Sequence, residues 1–551
     1  MAQDQISGQA GPGGPAGPGR SDPPSAAEPD AGADPGVQEV RSPREIRIVL
    51  SGLLIAMLLA MLDNMIVGTA MPTIVGDLGG VNHLSWVVTA YILATTASTP
   101  IWGKLGDLYG RKGIFMASIV IFLIGSALSG LSQNMNELIA FRALQGLGAG
   151  GLIVGVMSIM GALVPPRDRG RYQGMFAAVM AVAMIGGPLV GGAITDHLSW
   201  HWIFYINIPL GALALVVIAL TLRLPQQRST ARIDYLGAGL LTVGIVALVL
   251  VTTWGGQTYA WGSWQIAGML VLAAVALAGF LRVEQRVQAR GEEPVLPLHV
   301  FRNRNFSLIC GLAFVVGFVM FGAITFLPLY QQSVQGASAT NSGLLLMPMM
   351  LGMLVVSLVV GQAVTRTGRY KVFPVIGSIV MTVGMLLLSR LDVGTSRFTS
   401  GLFMVVLGAG MGFLMQITML VAQNSVALRD LGVASSSSTF FRTIGGSFGV
   451  SLFGALFSDR VAGTMTSRLG AGGGQVVAGH AQLSPAMLGH LPAPVRDAYD
   501  HAVASGVHSI FLWGALVSAV GIAVSAFLVE VPLRATPKAA PEAAPTMAVE
   551  A

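Results

Sequence analysis

Between residues 48 and 530 the chain repeats an apolar run of about 20 residues, long enough to cross a hydrocarbon layer as a helix rising 1.5 Å per residue. The runs fall near 48–71, 84–103, 113–131, 138–163, 173–195, 202–222, 235–254, 264–283, 306–329, 343–364, 372–391, 400–422, 433–457 and 507–530. Of the 551 residues only 10 % are charged, against about a quarter in soluble domains. Inside a bilayer each backbone N–H and C=O has to be satisfied by the chain itself, which runs of this length achieve as helices. The expected fold class is therefore all-α and integral to the membrane, with fourteen transmembrane helices.

The flanks contrast with the runs. Residues 1–43 contain GPGGPAGPGR and SDPPSAAEPDAGADPG, too poor in apolar surface to offset the entropy of ordering, and they read as a disordered tail. Residues 532–551 read the same way. The first tail lacks an apolar stretch of the signal-peptide kind, so the first helix is expected to serve as its own insertion signal. If that tail is cytoplasmic, 24 of the 31 Lys and Arg lie in inside segments, 5 in outside segments and two, Arg142 and Arg442, within spans. Such a bias places both termini inside. The net charge of +6 then reports topology, and no nucleic-acid partner is expected. A single cysteine, Cys310, excludes an intrachain disulfide framework and a cysteine-based metal cluster, and no metal site is expected.

Asp63 stands near the middle of the first run, where a carboxylate costs roughly 2.5–3.5 kcal/mol on insertion scales and is retained for a partner, a wet cavity or a proton. A local hydrogen bond from Asn64 or Thr69 would make it structural; a cavity alternating between wet and dry would make it a proton carrier. Arg142, near the outer end of the fourth run, either snorkels to the interface or, since QGLGAGG follows it and small residues draw helices together, points inward and pairs with Asp63. Gly146, Gly148 and Gly151 fit G-x-G-x-x-G without the strand a nucleotide site requires. Likewise Gly445, Ser447 and Gly449 fit G-x-S-x-G without a strand-to-helix elbow, so helix packing explains both and an intramembrane serine enzyme is a remote alternative. LLLMPMMLGM at 344–353 is core filler or the lining of an adaptable pocket.

Two turns on the inside repeat. GKLGDLYGRK at 103–112 and GQAVTRTGRY at 361–370 share a Gly, a six-residue gap and a Gly-Arg pair. Corresponding turns imply duplicated halves with a substrate site between them. The expected organisation is a six-helix bundle over 46–222, an inserted helix pair over 234–283 and a second six-helix bundle over 306–531. Asp107 in the first turn would cap the N-terminus of a second-half helix near Gly432; Thr365 holds the equivalent place in the second turn and cannot.

These residues resemble a known family. GKLGDLYGRK resembles the loop motif of the major facilitator superfamily, and LIAFRALQGLGAG at 138–150 its fourth-helix arginine motif. IGGPLVGG at 185–192 is similar to the fifth-helix antiporter motif, while LDNMIVGTAMP at 62–72 and SWHWIFYINIPLG at 199–211 look like signatures of the fourteen-helix drug:proton antiporter branch. His201 departs from that branch, which usually has Arg between the two tryptophans. The resemblance implies a multi-pass protein of a bacterial cytoplasmic membrane that exports lipophilic drugs or antibiotics by alternating access, not an enzyme, without a cofactor, drawing on the proton gradient. A dedicated exporter of one natural product or lipid is the alternative. The implied partners are lipophilic small molecules, protons and the bilayer. The implied sites are Asp63 and Arg142 for proton coupling, Gly103, Asp107, Gly110 and Arg111 for the gating loop, and Gly187, Pro188, Gly191 and Gly192 for the antiporter motif. With Asp63 as the deep carboxylate, neutral and monovalent lipophilic compounds are expected as substrates and dications are not.

Overall fold

The computed structural model describes residues 43–533 except 79–83, 165–168, 223–233, 256–257, 291–293, 338–343 and 471–491. The tails expected at 1–43 and 532–551 thus fall almost wholly outside the described residues. Sixteen α-helices are described. The first seven are α1 (Pro43–Leu78), α2 (Leu84–Tyr109), α3 (Arg111–Ser129), α4 (Met135–Leu163), α5 (Arg169–His197), the short α6 (Trp202–Tyr205) and α7 (Asn207–Thr221). Next come α8 (Tyr235–Trp254), α9 (Trp264–Ala289) and the short α10 (Leu298–Phe301). The remainder are α11 (Arg304–Ser333), α12 (Met347–Thr367), α13 (Val372–Leu388), α14 (Arg397–Asn424), α15 (Leu431–Leu469) and α16 (Ala493–Ala526). Counting α6 and α7 as one, each of the fourteen expected spans falls on a helix, and 11 of the described helices are long and apolar enough by themselves to cross a membrane.

Burial is concentrated inside the two halves of the sequence. The largest cluster joins α11 to α16 through Phe306, Met353, Leu414, Phe453 and Tyr499. In the first half, Leu53, Phe122, Val156 and Ile218 form one cluster, and Ile66, Leu138 and Phe204 another. The helices α8 and α9 rest on α2 through Leu241, Ile245, Phe280 and Leu93. Glycine sets the closest approaches. A Cβ on Gly148 would run into the Phe122 backbone of α3, and one on Gly408 into the Met349 carbonyl oxygen of α12. The same reason accounts for Gly445 and Gly449, which lie against the carbonyl oxygens of Phe314 and Phe318, so the G-x-S-x-G match is a helix-packing stripe. Met349, Met350 and Met353 are buried core residues, as filler side chains would be.

Several boundaries differ from the sequence expectation. The last two spans continue as helix well beyond 433–457 and 507–530, since α15 reaches Leu469 and α16 begins at Ala493. Val461 and Met465 bury themselves with Ala498, Tyr499 and Ala502, and Arg468 meets Asp497 at 3.6 Å, so apolar packing holds these ends helical past the expected interface. The sixth span is broken between α6 and α7, where Pro209 cannot donate the backbone hydrogen bond that would join them. The break places Asn207 at the start of α7.

Candidate functional site

Asp63 lies on α1, with side chains of α4 and α7 turned toward it. Arg142 and Gln145 are three residues apart on α4, which places them on one helix face. Asn207 reaches in from the break before α7. All four side chains are 0 % exposed. Arg142 Nη1 donates to Asp63 Oδ2 at 2.6 Å and to Gln145 Oε1 at 2.8 Å. Gln145 Nε2 and Asn207 Nδ2 each donate to Asp63 Oδ1 at 2.8 Å, and Asn207 also donates to Ser126 Oγ of α3 at 2.9 Å. The Tyr91 ring of α2 lies 4.1 Å from the guanidinium carbon, a cation–π contact that favours the buried charge. The pair is formally neutral, and its hydrogen bonds are charge-assisted. Arg142 Nε and Nη2 and Asn207 Oδ1 have no hydrogen-bond partner among the described residues.

This geometry shows where the partners of the two charges come from. Asp63 takes its partners from distant helices, not from its neighbours in sequence, and the side chain of Thr69 lies outside the described residues. Arg142 does not snorkel: it is enclosed two turns into α4. Gln145 and Asn207 were missed by the sequence reading although both stand in stretches it singled out. A buried amide is indistinguishable from a packing residue until its partner is known.

The glycines of α5 bring its backbone beside the same part of α1. A Cβ on Gly187 would strike Met65 Cβ, and one on Gly191 would stand 3.1 Å from the Ile66 carbonyl oxygen. Gly192 has open space, and the side chain of Pro188 lies outside the described residues. Close helix approach next to Asp63 is the physical result.

The turn between α2 and α3 reaches the other half of the molecule. Asp107 accepts from the backbone N–H groups of Gly432 and Val433 at 3.1 Å each, at the N-terminus of α15, where free donors and the helix dipole favour an anion. Arg111 Nη2 binds the same carboxylate at 2.9 Å. Gly110 turns the chain with φ 96°, a conformation other residues rarely adopt. Gly103 admits α15: a Cβ there would stand 2.7 Å from the Gly432 carbonyl oxygen. Nearby, Gln423 of α14 donates to the Met157 carbonyl of α4 at 3.0 Å. In the second turn Thr365 Oγ1 donates to Gly361 O of its own helix at 2.8 Å.

A further fully buried carboxylate was not expected. Glu284, beyond the predicted end of the eighth span, is 0 % exposed on α9. Glu284 Oε1 accepts the Leu296 N–H at 3.0 Å, and Lys104 and Asp234 are near enough to act on its charge. No group of three His, Cys, Asp or Glu able to hold a metal occurs among the described residues.

The sequence model of the Major Facilitator Superfamily matches residues 53–234 and 235–450. The chain belongs to that superfamily. A relative in Bacillus subtilis, Multidrug transporter protein MdtP, is 43 % identical over 77 % of this chain and 77 % of its own. Multidrug resistance protein 3 of the same organism is 37 % identical over 85 % of this chain and 92 % of its own. Among solved structures, the superfamily's proton:xylose symporter XylE aligns with TM-score 0.54 at 13 % identity, covering 86 % of this chain and 95 % of that one, a likeness of fold. As a superfamily member this chain is a multi-pass membrane transporter of small molecules and not an enzyme.

Proposed function

We propose that the chain is a proton-coupled exporter of lipophilic drugs or antibiotics in a bacterial cytoplasmic membrane, with both termini in the cytoplasm. The observation that carries the reading is the enclosed Asp63–Arg142–Gln145–Asn207 cluster. A proton arriving at Asp63 cancels the charge that faces Arg142 and leaves a buried guanidinium without its anion, which costs several kcal/mol in a dry interior. Relief comes from rearranging the helices that bear these groups, so protonation and conformation are linked. The bundles 46–222 and 306–531 rock against each other about the midplane, with the pair 234–283 riding on the first. Asp107, capping α15, latches the side bearing the α2–α3 turn. That latch and the Gln423–Met157 contact keep the cytoplasmic side closed when the carrier faces outward. Gly187 and Gly191 keep α5 against α1 and shield the carboxylate. The multidrug names of the two relatives support the drug class.

The deciding experiment uses purified full-length chain in proteoliposomes with an interior pH dye. Addition of lipophilic drugs is expected to trigger proton movement against a pH gradient, and Asp63→Asn to abolish it. Drug movement with no accompanying proton flux would refute the coupling. Activity toward one compound in a broad panel would favour a dedicated exporter.

A further inference from the structure

Arg442 is the second arginine inside a span. It lies on α15, eleven residues after Leu431, so about 16 Å along the helix from the Asp107 latch and near the middle of the membrane. It is partly buried and forms no ion pair or hydrogen bond with any described residue. The helices packed against α15 are α2, α4, α8, α11, α14 and α16. Of these, α8, α11 and α14 contain no Asp or Glu; Asp107 of α2 and Glu137 of α4 lie in terminal turns, and Asp497 and Asp500 of α16 lie within its first eight residues. On α15 itself the flanking acids are Asp430 at its N-cap and Asp459, more than four turns away. The hydroxyls of Ser438 and Thr439, four and three residues before Arg442 and hence on the same face, are buried without a hydrogen-bond partner. Helical side chains lean toward the N-terminus, so Arg442 leans toward this pair.

An arginine at membrane depth is retained for an anion, and the described residues supply none here, since Asp63 is committed to Arg142. We propose that Arg442, with Ser438 and Thr439, receives the anionic group of the transported compound, so that the substrates include lipophilic monoanions bearing a carboxylate or a similar oxyanion. The proposal rests on the efflux reading and narrows its substrate class. A guanidinium fork matches a carboxylate with two parallel hydrogen bonds, and the hydroxyls supply further donors beside it. Binding also neutralises the arginine.

The test uses three probes on one scaffold: pyrenebutyrate, its primary amide, and a pyrenyl trimethylammonium of equal length. Equilibrium dialysis against the purified full-length chain gives affinities, and energised proteoliposomes give transport. Arg442→Gln is expected to weaken pyrenebutyrate binding about tenfold or more, the loss of a charge-assisted pair, with the amide unaffected. Arg442→Lys should retain part of the preference. Ser438→Asp, which supplies an internal anion to Arg442, should erase the carboxylate preference with the arginine still in place. Equal losses for carboxylate and amide would show a structural role and overturn the proposal, as would preference of the wild type for the trimethylammonium probe. Gradient-driven export of the amide without any carboxylate preference overturns the Arg442 assignment alone. No gradient-driven movement of any probe overturns the efflux reading and this assignment with it.

Discussion

In the first half of the chain, Asp63 and Arg142 meet at 2.6 Å with two amides closing the ring around them. In the second half, Arg442 has no such company. The two halves of the chain therefore carry two different electrostatic arrangements. A closed neutral pair responds to a proton, whereas an unopposed cation responds to an anion brought from outside. The two loop motifs diverge in the same way. Asp107 reaches across to the N-terminus of α15, while Thr365 bonds back to its own helix. In the function proposed above, coupling and latching belong to the first half, and the second half is left to contact cargo.

The largest effect expected from this contrast is at the buried pair. Asp63→Asn should abolish gradient-driven efflux and also destabilise the protein by about 3–5 kcal/mol, because Arg142 is left buried without an anion. The double variant Asp63→Asn with Arg142→Gln should recover much of that stability and none of the transport. Thermal unfolding in detergent, run beside proteoliposome transport, separates the two roles. Proton-driven transport by the double variant would break the contrast at its centre.

A smaller effect belongs to the latch. Asp107→Asn exchanges charge-assisted bonds for neutral ones, a loss of about 1–2 kcal/mol, and should shift the balance between inward- and outward-facing states. Accessibility of a single engineered cysteine to a cytoplasmic-side reagent should rise while drug binding in detergent is kept. Poor binding with normal cycling at saturation would reassign Asp107. The smallest effect is expected at the counterpart, since Thr365→Ala removes a neutral hydroxyl whose bond to Gly361 O lies within one helix and should alter stability by no more than about 0.5 kcal/mol with transport unchanged. A transport defect there as large as that of Asp107→Asn would mean that both turns latch.

Legibility in the sequence tracked the range of the interactions. The α2–α3 turn could be read locally, because Gly110, Arg111 and a carboxylate four residues before it occupy one turn. Asp63 stood out because a charge is conspicuous in an apolar run. Gln145 and Asn207 did not, since amides are common in packing and their importance comes only from the carboxylate they face. Glu284 was missed because the span was expected to end at residue 283, whereas α9 continues to Ala289 and carries it into a buried position. Arg442 was visible as a charge in a span, but its lack of a counter-ion is a property of six neighbouring helices.

Sequence by itself determined the helices, their order and the bias of positive charge between the two sides, because insertion into a bilayer depends on hydropathy summed over about 20 consecutive residues. It also determined which stretches mark the superfamily. Tertiary structure decided which charges are matched. Arg142, Gln145 and Asn207 lie 79, 82 and 144 residues from Asp63, and the energy of a charge in a dry interior is set by what stands within a few ångströms of it, wherever in the chain that group originates.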